Sequence, residues 1–215
     1  MIGAMLFTLI ALAALLLAEY RGWFGLKCVA KPAASAGFIG TALAAGALET
    51  PYGCWVLLGL GLSMLGDVLL IPQNRQSSFR AGIASFLLAH LAYTAAFVGR
   101  GFDPTWGLVA FAVVTGIAAM VLSYLRPHVP GEMRPLVAAY VIVISAMVVS
   151  AAASMGSVPS WPVMVGACGF YLSDLAVARE RFVIDSFVNR LWGLPLYYGA
   201  QLVLANSVAG ATIVP

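Results

Sequence analysis

Apolar residues in this chain come in long unbroken runs rather than in alternation or as single helical stripes. Runs of about sixteen to twenty-one residues recur from end to end, each long enough to cross a hydrocarbon core of about 30 Å at 1.5 Å rise per residue. They fall at residues 2–19, 33–48, 54–71, 80–99, 105–125, 135–154, 160–178 and 189–208. Membrane β-barrels alternate apolar and polar positions over shorter segments, so the pattern predicts helices. The expected fold is all-α: one domain over residues 1–215, a polytopic membrane bundle of eight transmembrane helices. The first run lacks the basic stretch that precedes the apolar core of a secretory signal and is read as a retained helix.

Composition strengthens this picture: 62% of residues are hydrophobic and 9% charged, against about 25% charged in soluble proteins. The connections are too short for a soluble domain, which places any activity in or at the membrane. The net charge of +3 is scattered over loops and gives nucleic-acid binding no support. Cys28, Cys54 and Cys168 lie far apart with no CxxC pair, so they read as small apolar filler rather than as disulfides or a zinc knuckle.

Lys and Arg are distributed asymmetrically. Arg21, Lys27, Lys31, Arg75, Arg80, Arg126, Arg134, Arg179, Arg181 and Arg190 all follow odd-numbered spans, and Arg100 alone lies on the other side. By the positive-inside rule those loops are cytoplasmic and both termini lie outside the cytoplasm, which in a bacterium means the inner membrane.

Against this background the polar residues inside the runs stand out. Asp67 interrupts the stretch Gly59 to Ile71, and Asp174 interrupts the seventh run. A carboxylate at such depth costs roughly 2.5 to 3.5 kcal/mol on insertion scales, so it is expected to face a protein interior or a watery cavity. Both fall near the cytoplasmic ends of their spans. Lys31 is placed at the cytoplasmic mouth and Tyr140 in the first two turns of the sixth span; His90, Tyr93, Tyr197, Tyr198 and Gln201 lie deeper. Two Asp residues in unequal surroundings can supply one acid and one base; a structural pair tying helices together is the plainer alternative. Lys31 offers either a counter-charge or a snorkelling interfacial lysine.

His90 and Tyr93 share a helix face at i, i+3, as do Tyr197 and Gln201 at i, i+4. They line a polar cavity or bond neighbouring helices. His90 and His128 are the two histidines, a poor supply for a zinc hydrolase, which uses three protein ligands with histidine prominent. No G-x-S-x-G elbow is present, and Ser173 reads as a packing residue.

An internal echo accompanies these residues. Lys31-Pro32 and Arg134-Pro135 open the second and sixth spans, and Gly66-Asp67 matches Ser173-Asp174, at offsets of 103 and 107 residues. Proline at a first turn sacrifices no hydrogen bond. A parallel 4+4 repeat and a chance match both account for the echo.

Several segments together resemble the YhhN family of membrane proteins, whose animal relatives, the TMEM86 proteins, are lysoplasmalogenases. They are Lys31-Pro32, Gly66-Asp67-Val68-Leu69-Leu70, Phe79 with Gly82, Phe86 through His90 and Tyr93, Gly169-Phe170-Tyr171-Leu172-Ser173-Asp174 with Phe182, and Tyr197-Tyr198-Gly199-Ala200-Gln201. The resemblance implies hydrolysis of the vinyl ether of a lysolipid taken from the bilayer, giving a fatty aldehyde and a glycerophospho-ethanolamine or -choline. Carried over by position, it points to Lys31, Asp67, His90, Tyr93, Asp174, Tyr198 and Gln201. Chemical reasoning assigns acid and base roles to Asp67 and Asp174 with His90 beside them, and leaves Lys31, Tyr93, Tyr140, Tyr197, Tyr198 and Gln201 for substrate. This chemistry calls for no metal or organic cofactor. Intramembrane carboxylates in repeated halves also mark proton-coupled carriers, so a transporter or lipid translocator is the rival class.

Overall fold

The computed structural model describes residues 1–72 and 75–210. Among them are eight α-helices: α1 (Ile2–Arg21), α2 (Phe24–Ala44), α3 (Pro51–Leu69), α4 (Gln76–Val98), α5 (Pro104–Leu125), α6 (Arg134–Ser157), α7 (Trp161–Phe182) and α8 (Phe187–Ser207). Local chemistry sets their ends. Gly22 closes α1 in the left-handed conformation at φ 68°, where the lack of a Cβ removes the steric cost. Thr50 caps α3 by accepting from the Gly53 N–H at 3.0 Å, with Pro51 at the first turn. Asp103 caps α5 by accepting from the Thr105 and Trp106 N–H groups at 2.8 and 3.1 Å.

Short connections make consecutive helices pair as hairpins, α1 with α2, α3 with α4, α5 with α6 and α7 with α8; α4 then packs on α6, and α2 on α8. Side chains such as Phe38, Leu60, Tyr93, Phe170, Tyr198 and Leu204 are fully buried between them. Leu108, Val109, Phe111 and Met120 of α5 stand exposed, an apolar face that water would not tolerate and lipid does. The protein is a multi-pass helical membrane bundle. Among the described residues six helices are long and apolar enough to cross a membrane; α2 and α8 are not among them, and both are more polar and packed inside.

One expected boundary is corrected. The second helix begins at Phe24 rather than at residue 33, so Lys27, Lys31 and Pro32 lie within it and Lys31-Pro32 does not open it. The apolar run ends at Lys31 in sequence because lysine breaks hydropathy, but the helix continues because each lysine finds a carboxylate: Lys27 Nζ is 2.8 Å from Glu19, and Lys31 Nζ is 3.4 Å from Asp67. Pro32 has no N–H to return to the preceding turn. Arg134-Pro135 does open α6, so that element of the echo is not matched in the two halves.

Candidate active site

Asp67, near the end of α3, is 2% exposed. Ser35 Oγ from α2 and the Tyr197 hydroxyl from α8 each donate to its Oδ2 at 2.7 Å, while Lys31 approaches Oδ1. Lys31 and Ser35 are one turn apart on α2, so a single helix face delivers cation and hydroxyl together. The backbone beside Asp67 is closely approached: a Cβ on Gly66 would lie 2.6 Å from the Phe86 ring, and one on Gly59 would lie 2.7 Å from the Tyr93 ring. These two glycines, seven residues apart on one face of α3, let α4 settle against it.

Asp174, in the second half of α7, has different company. The Tyr140 hydroxyl of α6 donates to its Oδ2 at 2.7 Å, and His90 Nε2 of α4 is 3.5 Å from the same oxygen. Its side chain is 16% exposed, against 3% for Asp67. His90 is fully buried behind it, its ring 5.2 Å from that of Tyr140 and 4.5 Å from that of Phe170. Neither ring nitrogen of His90 makes a hydrogen bond among the described residues.

The two carboxylates are built alike. Each takes a hydroxyl from the preceding helix, Ser35 for Asp67 and Tyr140 for Asp174, and a ring group from the last helix of the other half, Tyr197 and His90 respectively. Asp67 and Asp174 are 107 residues apart, as are His90 and Tyr197, while Ser35 and Tyr140 are 105 apart.

Both carboxylates line one cavity of about 420 Å³. Its polar wall comes from α1, α2 and the α7–α8 corner, through Glu19, Lys27, Lys31, Glu180, Asn189 and Arg190. Its apolar wall comes from α3 to α6, with Leu70, Ile83, Leu125, Val137 and Ile144 among its residues. Of the residues singled out from sequence, Lys31, Asp67, Tyr140, Asp174 and Tyr197 line this space. His90, Tyr93, Tyr198 and Gln201 form a layer behind it. There the Tyr93 hydroxyl donates to Gln201 Oε1 at 2.7 Å, and the Tyr198 hydroxyl donates to the Lys31 carbonyl at 3.2 Å.

Sequence reasoning passed over Ser35, Glu19, Lys27, Glu180, Asn189 and Arg190. Lys27, Lys31 and Ser35 repeat at four-residue steps, a signal visible only once α2 is extended toward its N-terminus. Glu180 and Arg190 pair across the short α7–α8 corner, and Arg190 also reaches Asp185 at 2.6 Å and Glu19 at 3.6 Å. Among the described residues no group of three or more His, Cys, Asp and Glu side chains gathers as a metal-ligand set.

Fold and site together define a polytopic helical membrane protein whose interior cavity carries two unequally partnered carboxylates below a charged rim. The YhhN family model matches residues 26–208, and the chain belongs to that family. Its relatives include lysoplasmalogenase TMEM86A of Bos taurus, 29% identical over 166 residues that cover 74% of this chain and 67% of the relative. The lysoplasmalogenase of Mycobacterium tuberculosis is 32% identical over 174 residues, 77% of this chain and 65% of the relative. Lysoplasmalogenase TMEM86B of Mus musculus is 34% identical over 154 residues, covering 71% and 63%. No solved structure matches the chain.

Proposed function

We propose that the protein is a lysoplasmalogenase-like hydrolase that cleaves the vinyl ether of a lysolipid, with Asp174 as the acid and Asp67 as the ionised partner. Relatives that share the name lysoplasmalogenase support the activity. The observation that carries the division of roles is that two carboxylates on one cavity have unequal partners. Asp67 has a lysine and two hydroxyl donors, a set that favours the carboxylate. Asp174 has a phenol and an uncoordinated imidazole, and is the more open to the cavity.

In this reading Asp174 transfers its proton to the alkenyl carbon β to the ether oxygen, converting the C=C–O unit into an oxocarbenium ion. Asp67 faces that cation and takes a proton from the water that adds to it. The resulting hemiacetal collapses to a fatty aldehyde and the glycerol hydroxyl, one water being consumed, and the cycle closes when the proton taken up by Asp67 returns to Asp174. Paired carboxylates act in this way on the oxocarbenium ions of glycosides. The apolar wall suits the alkenyl chain and the charged rim the headgroup.

Aldehyde release by the purified protein in detergent is the test. Asp67→Asn and Asp174→Asn are each expected to lower it by about 10² or more; near-wild-type release by both would overturn the dyad. Hydrolysis in detergent needs no sealed vesicle, so activity there also separates this reading from transport.

A further inference from the structure

The charged rim of the cavity carries more than solubility, and the inference drawn from it rests on the hydrolase reading above. Lys27 and Lys31 sit one turn apart on α2, so the step from the Asp67 site to the rim is about 5 to 6 Å, comparable to the reach from a glycerol C1 oxygen to its phosphate. Lys27 is 7% exposed, paired to Glu19 at 2.8 Å, and Arg190 lies on the same wall. Lysine and arginine are the side chains that take phosphate. Beyond them the rim is acidic: Glu19, Glu180 and Asp185 all meet Arg190, and Asn189 Nδ2 donates to Glu180 Oε2 at 3.1 Å.

We propose that this rim is a headgroup subsite for a phosphate joined to a primary ammonium, so that ethanolamine lysolipids are preferred over choline lysolipids. The phosphate meets Lys27 and Arg190, displacing part of their mutual pairing with acids, and the acids released by that displacement receive the ammonium. A primary ammonium brings three N–H donors to carboxylate and amide oxygens. A trimethylammonium brings none and is recognised instead by open aromatic faces. Of the aromatic pairs at this end, Phe79 and Phe182 line the cavity and pack on each other at 6.0 Å, with the Arg181 guanidinium 4.3 Å over the Phe79 ring, while Tyr20 and Phe187, beside Glu19 and Arg190, pack on each other at 5.2 Å outside the cavity lining. The rim therefore offers oxygens to the cation, and among the described residues the aromatic pairs at this end are closed on themselves rather than open as a cage.

Two measurements on the full-length purified protein test this. For 1-alkenyl lysolipids with the same chain, kcat/KM is expected to favour ethanolamine over choline by about tenfold, with most of the difference in KM. Glu19→Gln is expected to narrow that ratio, because it removes an acceptor that only the ethanolamine ammonium uses, whereas its effect through Lys27 on the shared phosphate falls on both substrates. Separately, glycerophosphoethanolamine is expected to bind more tightly than glycerophosphocholine in a direct titration. Equal binding of the two, or a choline preference, overturns the subsite whatever the activity. A binding preference without hydrolysis would remove the hydrolase reading and keep the subsite. Should Glu19→Gln fail to fold, the two wild-type comparisons still decide the outcome.

Discussion

Lys31 meets Asp67 inside the bundle, where each would otherwise be a bare charge. Removing one member of a buried pair costs about 3 to 5 kcal/mol because the other is left uncompensated. Lys31→Met is therefore expected to lower the midpoint of thermal unfolding sharply, and Lys31→Met with Asp67→Asn to regain much of that loss without regaining aldehyde release. Tyr140→Phe removes the phenol donor from Asp174 and leaves the ring in place; a loss of about tenfold in kcat is expected, with a fall in stability of about 0.5 to 1.5 kcal/mol, the worth of a hydrogen bond to a neutral carboxyl. Tyr93 is the contrast. Its hydroxyl holds Gln201 in the layer behind the cavity, so Tyr93→Phe should lower thermal stability by about 1 to 3 kcal/mol and leave kcat/KM of the folded protein near wild type. Asp67 and Asp174 were legible in the sequence because a carboxylate in an apolar run has no cheap explanation. Ser35 was not, because a serine in such a run is ordinary and only its 2.7 Å contact with Asp67 distinguishes it.

At the scale of elements, hydropathy predicts every helix, since each apolar run must either cross lipid or fill the core. Helix α2 is the exception in its length. Its first two turns carry Lys27 and Lys31, and the partners that make them tolerable, Glu19 and Asp67, come from α1 and α3; no local pattern in α2 announces them. The meeting of α3 with α4 was equally hidden, because a glycine reveals a close approach only when its neighbour is known. Gly66→Ala should force the Phe86 ring away from the backbone next to Asp67. Overpacking of this kind typically costs about 1 to 3 kcal/mol, and a fall in both thermal midpoint and activity is expected, since the displaced ring borders the cavity.

Across the whole molecule the two halves serve each other. Tyr197 of the second half bonds Asp67 of the first, and His90 of the first approaches Asp174 of the second. Each carboxylate thus depends on a side chain more than eighty residues away in sequence, a dependence that span prediction cannot see although the 107-residue spacing was readable. If one carboxyl must be protonated and the other ionised, kcat/KM should trace a bell against pH, and Asp67→Asn should abolish one limb of whatever activity it retains; a flat profile would count against the paired roles.

The polar helices α2 and α8 bear on how such a chain enters the bilayer at all. Neither is among the helices long and apolar enough to cross a membrane, yet each is the second arm of a hairpin whose first arm supplies a neutralising acid: Glu19 for Lys27, and Glu180 for Arg190. The expected unit of insertion is then the hairpin, with its charges matched before they leave water. In a glycosylation-mapping assay α2 alone should stay outside while α1–α2 inserts, and Glu19→Ala should weaken insertion of the pair.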